Sequence, residues 1–64
     1  MKAFEFDVHW VKPGRSGSYS GRKRVKVFSK SVTDARELAK AKASEAVESE
    51  MSFPAGSVRI GRVS

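Results

Sequence analysis

Glu5 and Asp7 stand two residues apart near the start of the chain, which puts both carboxylates on one side of an extended segment. Paired carboxylates are what a general acid–base mechanism would use. On a central strand, however, their expected neighbours are Arg24 and Lys26 on one side and Arg59 on the other. Cross-strand charge pairs of that kind are an ordinary finish to a solvated sheet face. A water-excluding pocket is also hard to assemble from 64 residues. His9 is the single histidine and there is no cysteine, so the convergent ligands that zinc requires are missing. No serine has a recognisable base and orienting group near it in sequence. The chain is expected to be no enzyme, with no catalytic residue, no metal and no cofactor.

Binding chemistry is better represented. Residues 12–26 hold Lys12, Arg15, Arg22, Lys23, Arg24 and Lys26 with no acidic residue among them. A field focused in this way attracts phosphate or an acidic protein surface more than diffuse charge would. Gly14-Arg-Ser-Gly17 matches a bare G-x-x-G, and Gly21-Arg-Lys continues the run. A phosphate-binding loop needs G-x-x-x-x-G-K-[ST] leading into a helix, whereas here the lysine is followed by Arg24 and a strand. What remains is a cationic arm with one aromatic, Tyr19, among Arg15, Arg22 and Lys23. That combination suits backbone contacts with a stacked base, or insertion along a groove. Lys23-Arg24-Val25-Lys26 also resembles a nuclear import tetrapeptide, but such signals are read in accessible extended segments and this one falls in an expected strand.

These residues need a scaffold, and the periodicity supplies one. Residues 3–11 alternate, with Phe4, Phe6, Val8 and Trp10 on one side and Glu5, Asp7 and His9 on the other, the pattern of a strand with one buried face. Residues 12–21 are rich in glycine and serine and read as a connection. Residues 24–29 alternate again, with Val25 and Val27 inward and Arg24, Lys26 and Phe28 outward. A helix over about 32–50 follows, with Ser31 as N-cap and Asp34 three residues on, both suited to the positive helix end. Its apolar stripe is Ala35, Leu38, Ala39, Ala43, Ala46 and Val47, with Lys42 beside it. Small residues let the helix lie close to a sheet filled by large side chains, and Trp10 is expected against the alanines. Glu45, Glu48 and Glu50 crowd the helix's negative end, which predicts a frayed last turn or an acidic surface with some use. Pro54 and Gly56 stop the helix. Residues 57–63 form a last strand with Val58 and Ile60 inward and Arg59 outward, Gly61 marking a bulge. Val63 falls on the outward side with Val11 and Phe28, where the three would make a small apolar spot.

The order β-β-α-β with a right-handed crossover places strand three parallel to strand two and beside strand one. The expectation is an α+β fold of ββαβ type, a three-stranded sheet of order 2-1-3 with one helix on one face. The other face stays open. The whole of residues 1–64 forms one small domain, with a basic hairpin tip at 12–23.

Charge and composition agree. The net charge of +6 arises entirely in residues 1–30, which carry eight Lys and Arg against two acids, while residues 31–64 carry five of each. Without cysteine there is neither a disulfide framework nor a thiolate metal site. No apolar run approaches the roughly 18 residues of a membrane span, and none reads as a signal peptide. The reading is a soluble, cytoplasmic chain, monomeric or weakly dimeric.

From Ser31 onward, Ser-Val-Thr-Asp-Ala-Arg-Glu-Leu-Ala, then Pro54-Ala-Gly and a short basic closing strand, resembles the small ββαβ phage early proteins. The best known of these inhibits host RNA polymerase. The resemblance covers about half the chain and implies the same element order, with host RNA polymerase as a candidate partner. In that family arginines on the last strand engage the polymerase, and the nearest positions here are Arg59 and Arg62. This chain is basic where the family member carries an acidic strip, and its helix is longer.

The expected function is a non-catalytic, phage-type binding protein that docks on nucleic acid or on a nucleic-acid-processing machine. Arg15, Tyr19, Arg22, Lys23, Arg24 and Lys26 would carry the contact and Arg59 and Arg62 would extend it. The alternative is a protein-directed inhibitor working through the open sheet face.

Overall fold

The aromatic segment is the spine of the molecule. In the computed structural model, which describes all 64 residues, β1 (Lys2–Lys12) lies between β2 (Tyr19–Ser29) and β3 (Arg59–Val63), and α1 (Val32–Met51) joins β2 to β3. Both neighbours run antiparallel to β1, so β3 is parallel to β2, and the sheet order is β2-β1-β3. The α+β, ββαβ expectation is met in element order and sheet order. β2 forms one free edge of the sheet. The helix is not long and apolar enough to cross a membrane.

β2 is longer than its sequence suggests. It pairs with β1 without interruption from Lys2↔Ser29 to Lys12↔Tyr19, which leaves only residues 13–18 as the connection. Residues 19–23, expected in the hairpin tip, are therefore strand. Gly21 belongs to the ladder because its partner is Trp10, whose ring occupies the space a side chain would take. The molecule is elongated, with principal extents of 42 × 18 × 14 Å.

The helix buries a strict every-fourth-residue row, Ala35, Ala39, Ala43 and Val47. Residues four apart fall on one helix face. Leu38, placed in the stripe by its apolar character, is instead 48% exposed, because it sits three residues from Ala35 and on the flank of the row. Lys42 reaches past the row to donate from Nζ to the Lys26 carbonyl at 3.4 Å. The alanines pack on Phe6, Val8, Val25 and Val27, with Phe4, Ile60 and Val63 at the margin. Trp10 is buried, but not against the alanines. It packs at the far end of the helix with Val47 and Val58, and Phe53 meets its ring edge-on at 6.3 Å. The larger residue, Val47, stands where the aromatic side chain needs a larger partner.

Both helix ends are closed. The Ser31 hydroxyl accepts from the Asp34 N–H at 3.3 Å, as an N-cap should. At the other end Ser52 adopts the left-handed conformation (φ 57°), and the Phe53 N–H bonds back to the Glu48 carbonyl at 2.9 Å. The last turn is therefore fixed rather than frayed, and its acids have partners. Glu48 Oε2 accepts from the Val58 N–H at 3.3 Å, and Glu50 accepts from Lys23 Nζ. These contacts tie the helix end to β2 and to the entry of β3.

β3 carries the bulge that Gly61 foreshadowed. Trp10 pairs with Ile60 but Val8 pairs with Val63, so β3 has one residue more than β1 between those pairs. The extra residue changes which way the strand end faces. Val63 is thereby turned inward to pack against the alanine cluster, contrary to its outward place in simple alternation. Two backbone bonds between Asp7 and Ser64, 2.7 and 3.0 Å, carry the ladder on.

Candidate functional site

The sheet face away from the helix is uncovered, and the register decides what stands on it. On β1 it presents Glu5, Asp7, His9 and Val11. Opposite them on β2 are Lys26, Arg24, Arg22 and Ser20, in that order. On β3, Arg59 lies opposite Val11, and the bulge carries Gly61 and Arg62 past His9. Five cations thus share one face with two carboxylates.

Only one of these opposite charges is paired. Arg24 Nε donates to Asp7 Oδ1 at 3.2 Å, with both side chains substantially exposed. Lys26 lies opposite Glu5 in register but makes no ion pair with it, and its ammonium sits 5.7 Å from the Phe28 ring centroid. Arg59 was expected beside the two carboxylates. The antiparallel register sets it against Val11 instead, at the other end of the face, and puts Ser64 beside Asp7. Arg22, Lys26, Arg59 and Arg62 therefore have no carboxylate within salt-bridge distance.

Of the residues expected to contact a partner, Arg22, Arg24, Lys26, Arg59 and Arg62 share the open face, and Arg15 lies in the exposed tip turn. Tyr19 and Lys23 do not join them. They fall on the same side of β2 as Val25 and Val27, and so point toward the helix. Lys23 is bound to Glu50. Tyr19 packs at 5.9 Å on Phe53, and Lys12 Nζ lies 5.1 Å from the Phe53 centroid and 6.0 Å from that of Tyr19. Counting back by twos from Val25 would have assigned both residues to that side.

Val11, Phe28 and Val63 form no apolar spot. Val63 is turned inward, while Phe28 and Val11 lie at opposite ends of the sheet, opposite Ala3 and Ser20 respectively. Phe28, 58% exposed, is the sole Phe, Tyr or Trp on the open face. His9 is the residue whose placement sequence reasoning undervalued. It stands mid-face between Arg22 and the bulge, and its ring lies so close to Gly61 that a Cβ there would be 3.1 Å from Nδ1. No cluster of three or more His, Asp or Glu side chains is arranged to hold a metal ion.

Comparison with protein-family models, with characterised proteins and with solved structures finds no match to this chain.

Proposed function

We propose that this chain is a small non-catalytic binding protein, of phage type and acting in the cytoplasm, whose open sheet face docks on the phosphate backbone of a nucleic acid. One observation carries the reading. Arg22, Arg24, Lys26, Arg59 and Arg62 lie on a single face whose only acids are Glu5 and Asp7, and Asp7 is already engaged by Arg24. Along β2 the cations recur at every second residue, about 6.8 Å apart from the rise of an antiparallel strand. That repeat is of the order of the separation between successive phosphates on an extended strand. His9 is the one ring at the centre of the face, with no Phe, Tyr or Trp beside it, which favours backbone contact over base-by-base reading. Arg15 at the tip extends the positive surface along the long axis of the molecule.

Binding to labelled duplex DNA and to RNA, followed by fluorescence anisotropy as salt is raised, tests this. Affinity should fall with a log–log slope of about −0.9 for each duplex phosphate contacted, because neutralised phosphates release counterions. No measurable affinity at low salt would end the nucleic-acid reading.

A second reading rests on Phe28, an exposed aromatic beneath the Lys26 ammonium at one end of the same face. An apolar anchor beside cations suits an acidic protein surface. The resemblance to the phage early proteins makes host RNA polymerase the first such protein to test. In that case Phe28→Ala abolishes capture, whereas on nucleic acid it has little effect.

A further inference from the structure

We infer that Arg22, His9 and Arg62 form a discrete seat for one phosphate group, at the middle of the open face rather than spread along it. This rests on the reading of that face as a phosphate-binding surface and names the place where a phosphate would be held.

Asp7, His9, Arg22, Arg62 and Ser64 line a concave site of about 380 Å³ on the open face. Three strands contribute to it. Arg22 is the cross-strand partner of His9, and Arg62 comes from the other side on the bulge of β3. The two arginine backbones are two strand spacings apart, about 9.6 Å, with His9 between them. Two guanidinium groups lining one hollow from the strands on either side of an imidazole offer the planar, multi-donor forks that suit phosphate oxygens.

The surroundings keep these donors available. Asp7 lines the same hollow, and its Oδ1 accepts from Arg24 rather than from either arginine of the seat. Arg22 and Arg62 have no carboxylate within salt-bridge distance. The bulge brings Arg62 to this row, since without the extra residue the alternation of β3 would put Arg62 on the helix side with Ile60. Gly61 completes the arrangement, because a side chain there would press on the His9 ring.

The test uses the whole chain and two probes. In the first, inorganic phosphate is titrated at fixed pH while the NMR signals of the His9 ring are followed, with chloride at matched ionic strength as control. The seat predicts a saturable shift with phosphate alone. Arg22→Gln and Arg62→Gln should each weaken it about tenfold, the equivalent of one charge-assisted hydrogen bond, while Lys26→Gln and Arg59→Gln leave it nearly unchanged. In the second, the same variants are titrated with oligonucleotides bearing or lacking a 5′ phosphate. A gain from the end phosphate identifies a terminal phosphate as the seated group, and equal binding identifies the backbone. An oligonucleotide that binds while phosphate leaves His9 unmoved overturns the seat and spares the face. Phosphate binding without oligonucleotide binding supports the seat and overturns the nucleic-acid reading. Failure of both probes overturns both.

Discussion

Trp10 lies over Gly21, its partner across the β1–β2 ladder, so closely that a Cβ on Gly21 would come within 2.9 Å of the indole Cζ2. The glycine is what allows β2 to continue beneath the indole. Trp10 then closes the second core cluster with Val47 and Val58. Gly21→Ala should displace the ring and destabilise the fold by about 1–3 kcal/mol, as overpacking of a fixed site does. Urea unfolding followed by tryptophan emission would read both the loss of stability and the greater exposure of the indole. An unchanged midpoint would mean that the ring moves aside freely.

The alanine row makes a parallel demand at the other end of the core. Ala39 is fully buried among Phe6, Val8, Val25 and Val27. Ala39→Leu should cost about 1–3 kcal/mol by forcing helix and sheet apart. The reverse change at the neighbouring position, Leu38→Ala, removes a half-exposed side chain and should cost much less. Thermal melts of the two variants would rank them.

Ser52 supplies a case where stability should rise. Its left-handed backbone is strained for a residue with a Cβ and comfortable for glycine. Ser52→Gly should stabilise by about 0.5–1 kcal/mol, a rise in Tm of a few degrees for a domain this small. A lower Tm would show that the serine side chain contributes more than its backbone costs.

Face assignment separates two adjacent cations on β2. Lys23→Gln breaks the contact to Glu50, a part-exposed pair expected to contribute less than about 1 kcal/mol, and should leave the salt slope of nucleic-acid binding nearly intact. Arg22→Gln removes a cation from the open face and should flatten that slope by about one phosphate's worth. Anisotropy titrations at several salt concentrations would distinguish them. Equal effects of the two changes would place the contact on the hairpin as a whole.

Glu48 gives a test of the helix end. Its carboxylate accepts the part-buried Val58 N–H. Glu48→Ala leaves that donor without its partner, at a cost of about 1–3 kcal/mol, and should loosen the entry to β3. Amide hydrogen exchange at Val58 would report it directly.

Much of this architecture is readable from periodicity. The apolar alternation of the strands, the cap at Ser31 and the stop after Met51 gave the element order, and a right-handed crossover then gave the order β2-β1-β3 with the helix on one face. Three features depended on contacts between residues distant in sequence. Ser20 and Gly21 read as loop, and only their pairing with Val11 and Trp10 across the ladder makes them strand. Val63 changes side because of a register shift that Gly61 signals but does not determine. Leu38 looks like core until the close approach of the alanine row fixes the helix rotation. The candidate face was half legible. The cations and the outward place of Arg59 were legible, but its position opposite Val11 and the turning of Arg62 onto the face by the bulge required the register. The departure of Tyr19 and Lys23 was implicit in the alternation, and the Gly/Ser composition around Tyr19 obscured it.

The free edge of β2 has a consequence for crowding. An eleven-residue edge on which Lys42 covers only the Lys26 carbonyl is a template on which a second copy could extend the sheet. In a two-fold antiparallel pairing of that edge, the outward row Arg22, Arg24 and Lys26 would be set against the same row of the other copy, and like charges directly opposite are destabilising. The row therefore opposes edge-to-edge pairing of two copies through β2. Its protection depends on its charge. A polyanion that neutralises these side chains would lift the repulsion and leave the edge open to lateral pairing.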